Sequence, residues 1–206
     1  MTRNFTAEDD HGAPAAAEHT QIRRIPGEPG IWVFITGDLI VFSLFFVIFA
    51  YYRARNVDVF LRSQAELNQF FGLLNTMLML TASLMVALGV QAARLPARAR
   101  RVKPRLYAAG SCGVAFVIVK VFEWGEKIRG GISLTTNDFF MYYFMFTGIH
   151  LFHVLVALGI MALMLTKARH PEQVGDGLLV LESGGIFWHL VDLLWVVLFA
   201  LLYLLR

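Results

Sequence analysis

The segment from Asn137 to Thr166, NDFFMYYFMFTGIHLFHVLVALGIMALMLT, constrains this chain more than any other. After Asp138 it holds no acidic or basic side chain except His150 and His153. Crossing a bilayer takes about 20 apolar residues at about 1.5 Å of rise each, and this run is long enough. Two histidines three positions apart share one helix face. Polar groups at membrane depth cost several kcal/mol unless partnered, so they turn toward protein. The rest of the chain must therefore supply neighbours for His150 and His153.

Four more apolar runs repeat the signal. Spans are expected at about 31–52, 67–92, 106–126, 138–166 and 184–205, preceded by a polar tail over residues 1–30 that reads as disordered. No early apolar core marks a cleaved signal peptide. A composition of 57% hydrophobic and 16% charged residues suits an integral membrane protein. Lipid satisfies no backbone group, so the runs must be helices, and period-two alternation for a membrane barrel is absent. The expected fold is an all-α, five-helix transmembrane bundle. Eleven Lys and Arg residues fall in the tail and in the loops on its side, against six on the other, so the N-terminus is expected inside and the C-terminus outside.

A net charge of +3 does not argue for nucleic acid. The basic stretch LPARARRVKPR sets topology, and Arg94, Arg98, Arg100 and Arg101 are candidates for lipid head groups. The single Cys112 forms no internal disulfide and no CxxC motif. Phosphate loops, GxSxG and HExxH are missing too, so no catalytic residue is assigned.

Helical rise places Asp38, His150, His153, His189 and Asp192, from three spans, at one depth. They are expected to satisfy one another or nearby hydroxyls, with no metal among them, so that His150→Ala would strand its partners. Three uses fit such a layer. It can fix helix packing, move protons, or hold haem or a metal through His150, His153 and His189. A second group, Asn75, Lys120 and Glu123, lies toward the other surface. Lys120 is expected to pair with Glu123 or to snorkel to that interface, and Asn75 and Thr76 lie at similar depth. The small residues Ala108 to Gly113 allow close helix approach.

GEPGIWVFITGDLIVFSLFF, LNTMLMLTASLMVALGV, FEWGEKI, TGIHLFHVLVALGI and WHLVDLLWVVLFALLYL occur in an order that resembles subunit III of the haem-copper oxidases, over nearly all of residues 27–205. The pairing of G-x-H-x-x-H-V with W-H-x-x-D-x-x-W is the specific part. Many members have seven helices. Five resembles the short forms of quinol oxidases and of the accessory protein associated with nitric oxide reductase, and TNDFFMYYFMFTGIHLFHV is most similar to the latter. The resemblance implies a non-catalytic subunit of a bacterial plasma-membrane complex, without haem or copper of its own, packed against the haem-bearing catalytic subunit of an oxidase or nitric oxide reductase and binding phospholipid. It also puts Asp38 where the family has an intramembrane carboxylate, and matches Glu123, His150, His153, His189 and Asp192 to its helix motifs. A stand-alone membrane haem or metal protein and a small proton-coupled transporter are the alternatives.

Overall fold

A computed structural model describes residues 27–168 and 177–205. The expected polar tail up to residue 26 lies outside the described residues, as do Arg3, Arg23, Arg24, Arg169 and Arg206 of the charge count. Five helices are long and apolar enough to cross a membrane, and no strand occurs among the described residues. They are α1 (Pro29–Arg55), α3 (Gln69–Ala93), α4 (Val102–Arg129), α5 (Asp138–Lys167) and α6 (Leu178–Phe199). A short α2 (Val57–Ala65) joins α1 to α3, a 3₁₀ turn (Pro96–Arg101) joins α3 to α4, and α6 ends in a π turn (Ala200–Leu204).

Helix ends follow local chemistry. Pro29 opens α1, where its missing N–H costs nothing. Asn68 and Asn137 cap α3 and α5 by accepting from the amides of Phe70 and Phe140. The α4–α5 turn closes at Gly131, whose φ of 82° suits glycine. The last helix starts at Leu178 rather than at Gly184, which carries His189 about 16 Å along it.

The centre of the bundle is α6. Of its most apolar stretch 56% is buried, against 17% for α1, which lies across α5 and α6 with most of its apolar side chains outward. Close approach needs small residues: a Cβ on Gly113 of α4 would come within 2.8 Å of the Trp188 ring of α6. A second core, built of aromatics, fills the end where α2 lies. There Phe49, Phe60 and Phe139 meet edge to face, with centroids 5.4 and 5.7 Å apart. Asn137 donates to Ser63 Oγ at 2.8 Å and Lys127 to the Glu66 carbonyl, so α2 is fastened to α5 and α4.

Candidate functional site

Lys120 and Glu123, one turn apart on α4, are fully buried and 2.9 Å apart. Lys120 therefore does not snorkel to an interface. A third member closes the pair: Tyr203 accepts from Lys120 at 3.0 Å and donates its own hydrogen to the other Glu123 oxygen in a short bond. The π turn aims Tyr203 at this point, and Gln69 donates to its backbone carbonyl at 3.2 Å. Opposite, α3 offers Gly72, where a Cβ would sit 2.8 Å from the Tyr203 ring. Tyr143, Trp195 and Tyr203 wall the ammonium, their ring centroids 5.1, 4.9 and 5.5 Å away. Trp195 is itself held by donating to Thr76 Oγ1 at 3.1 Å. Asn75 is buried on the same helix, yet neither of its amide atoms has a hydrogen-bond partner among the described residues. Tyr143, Trp195 and Tyr203 went unassigned from sequence, because aromatics in an apolar helix read as packing.

The histidine layer divides. Asp38 of α1 meets His153 of α5 at 3.1 Å, both side chains 12% exposed. The other His153 nitrogen, Nδ1, lies 2.8 Å from the Ile149 carbonyl. A carbonyl only accepts, so Nδ1 carries a proton. Nε2 then faces Asp38 either as a second N–H against a carboxylate or as a lone pair accepting from a carboxylic acid. On the other side of the bundle, His189 Nδ1 is 2.7 Å from Ser83 Oγ, and the Asp192 carboxyl lies beside the same serine and histidine.

His150 joins neither pair. It is fully buried, and neither ring nitrogen has a hydrogen-bond partner among the described residues. It packs against Trp195 at 5.2 Å and the edge of Phe116 at 5.6 Å. The single layer expected from depth is thus corrected to two separate pairs and one isolated ring, and His189 is exposed, not buried. Helical rise gives depth, but helix rotation decides which groups meet. The three histidines face different surroundings, and among the described residues no three His, Cys, Asp or Glu side chains gather as a metal would need.

At the α6 N-terminus Arg94 pairs with Glu182 at 3.0 Å, so its charge is already matched, while Arg98, Arg100 and Arg101 stand exposed on the 3₁₀ turn. Glu182 also accepts from the Gly27 amide at 3.4 Å, and Ser183 from that of Glu28 at 3.0 Å, tying the start of α1 to the start of α6. Two grooves open here. One of about 420 Å³ lies between α3 and α6. A smaller one of about 190 Å³ is lined by Ile31, Ile160, Leu179 and Val180 on α1, α5 and α6.

A family model described as cytochrome c oxidase subunit III matches residues 10–206. The heme-copper oxidase subunit I+III of Aeropyrum pernix is 26% identical over 211 residues, which cover 98% of this chain and 25% of that protein. This chain thus spans only part of that longer relative. The cytochrome c oxidase subunit 3 of Thermostichus vulcanus is 25% identical, covering 92% of this chain and 90% of its own length. The cytochrome bo(3) ubiquinol oxidase subunit 3 of Buchnera aphidicola is also 25% identical, covering 92% and 91%.

Proposed function

The chain belongs to the cytochrome c oxidase subunit III family, and from that membership we propose that it is a non-catalytic accessory subunit that stabilises the haem-bearing catalytic subunit of a haem-copper oxidase and binds phospholipid. It is a multi-pass protein of a bacterial plasma membrane. The match across residues 10–206 carries this proposal. The arrangement of charge supports it: most interior ionisable groups are met by other side chains, within α4 or between helices, which suits a packing subunit better than a reaction centre. The A. pernix relative carries subunits I and III under one name, which favours a subunit I as the partner. Because the relatives above are oxidase subunits, oxygen is preferred over nitric oxide as the acceptor of the complex.

The basic turn between α3 and α4 supports an N-terminus in the cytoplasm and a C-terminus outside. Cysteines placed at Arg98 or Arg100 should then resist impermeant thiol reagents in intact cells, and labelling from the periplasm would reverse the orientation. For lipid, the smaller groove offers an apolar slot for an acyl chain, and Arg98, Arg100 and Arg101 offer positive charge at head-group level. The decisive experiment is purification from native membranes. The haem-bearing subunit should accompany this chain in equal amount, and removing the chain should shorten the working life of the complex more than it lowers initial turnover. A purified chain that showed its own haem absorption with no partner present would overturn the proposal.

A further inference from the structure

We infer that the face shared by α3 and α6, centred on His189, receives a transmembrane helix of the haem-bearing subunit. This rests on the accessory-subunit proposal and names the surface it uses. Among the described residues, Asp38, Lys120, Glu123, His150, His153 and Asp192 all lie within or between helices of the bundle; of the acids, bases and histidines in the middle of the spans, His189 alone is exposed. It stands about 16 Å along α6, far from either end of the span. Ionisable groups at that depth face protein or a water-filled cavity almost without exception. Ser83 engages Nδ1 from inside the chain, which leaves Nε2 on the open side. The outer face of α6 is therefore the inside of a larger bundle.

The shape of the face selects the occupant. The 420 Å³ groove runs from His189 to the Arg94–Glu182 pair, with Ala87, Gly185 and Gln91 along it. Glu182, Gly185, Ile186 and His189 stand at positions i, i+3, i+4 and i+7, so they present one stripe of α6. Gly185 lets α3 and α6 approach, since a Cβ there would meet Val90 at 3.0 Å, while the exposed Ala87 keeps the groove open to a second helix and the polar side chains at fixed heights give it hydrogen-bonding partners. A bare acyl chain would cover the apolar floor, yet it offers nothing to His189 Nε2 or to the exposed Gln91 amide. An anionic head group would have to compete with Glu182 for Arg94. A helix with a hydrogen-bonding side chain at the height of His189 answers all of these features.

Photo-crosslinking in the intact complex tests this. The benzophenone amino acid would replace Ala87 or Ile186 in the groove, and Ile118 of α4 or Phe152 of α5 on other exposed faces. Adducts from positions 87 and 186, and not from 118 and 152, should be haem-bearing-subunit peptides by mass spectrometry. Adducts to lipid alone at 87 and 186, to a second copy of this chain, or to the haem-bearing subunit from 118 or 152 only, would overturn the assignment. If no haem-bearing subunit accompanies the wild-type chain at all, the accessory-subunit proposal falls with it. As a second readout, His189→Leu should reduce retained haem about fivefold to tenfold on detergent washing, the scale of one lost hydrogen bond, with His189→Gln close to wild type. Equal retention in both variants would count against the surface.

Discussion

The Lys120 cluster and the histidine layer are made of similar groups and are built in opposite ways. Around Lys120, both ions and the tyrosine hydroxyl close on one another inside an aromatic wall, with 0% exposure of either charge. In the histidine layer the polar groups lie at three separate interfaces. Among the described residues Asp38 Oδ2, Asp192 Oδ1 and both His150 nitrogens lack partners, and one histidine faces outward. A charge sealed from water must be matched within the chain. One at a helix seam, or near an outer face, can draw on lipid head groups, water or another subunit. The contrast predicts that breaking the closed cluster costs the chain more of its own stability than removing one polar group from the open layer does.

The largest effect should come from breaking the sealed pair on one side. Glu123→Leu leaves the Lys120 ammonium buried without its counter-charge, at a cost of about 3–5 kcal/mol. Removing both charges, as Lys120→Met with Glu123→Leu, should recover most of that loss. Unfolding in mixed micelles, followed by tryptophan fluorescence, measures both. If the single variant is no less stable than the double, the pair is not closed as described. Tyr203→Phe comes next, since it removes a hydrogen bond to each ion and should cost about 1.5–3 kcal/mol. Gly72→Ala, which pushes a methyl group against the same ring, should cost about 1–3 kcal/mol.

The five spans were legible because length and hydropathy are properties of single segments. The nine-residue α2 was not, since its apolar residues matter only once Phe60 has Phe49 and Phe139 to meet. Pairing of Lys120 with Glu123 was one of two readings open from sequence, because they lie on one helix at contact spacing; burial in the bundle decides it over snorkelling. Tyr203 could not be assigned to them, because it reaches them only through a π turn that no spacing rule signals. The histidine layer shows the same limit. Depth follows from counting residues, but the rotation of each helix is set by packing, and it sent His189 outward and left His150 among rings.

Smaller effects are expected at the α1–α5 seam. Asp38→Leu leaves His153 Nε2 without its partner, partly relieved by 12% exposure, so about 1–2 kcal/mol should be lost. Asp38→Asn should cost less than 1 kcal/mol, since its amide N–H can donate to Nε2 of the neutral ring while Nδ1 keeps its bond to Ile149. Subunit retention and turnover of the purified complex separate structure from proton chemistry. Complete loss of turnover in an assembled Asp38→Asn complex would show that the carboxyl takes part in proton chemistry rather than in packing alone.

The sharpest test of the contrast belongs to His150, where replacement by leucine should not destabilise the chain. Two opposing quantities decide it. Replacing the ring by leucine, of similar volume, gives up its packing on Trp195 and Phe116, worth about 0.5–1.5 kcal/mol beyond area. It also removes two buried nitrogens that have no hydrogen-bond partner among the described residues, each a desolvation penalty of about 1–3 kcal/mol. The penalty removed outweighs the packing lost, so His150→Leu should raise stability. His150→Ala should instead lose about 2–4 kcal/mol, through the cavity it opens rather than through stranded partners. Leucine and alanine variants compared in the same micelles measure the difference. A leucine variant as damaged as the alanine variant would mean that the nitrogens are engaged after all, for instance by an enclosed water bridging toward the Asn75 amide or Asp192 Oδ1, which lack partners among the described residues. The histidine layer would then be a connected network like the Lys120 cluster, and the difference between the two regions would disappear.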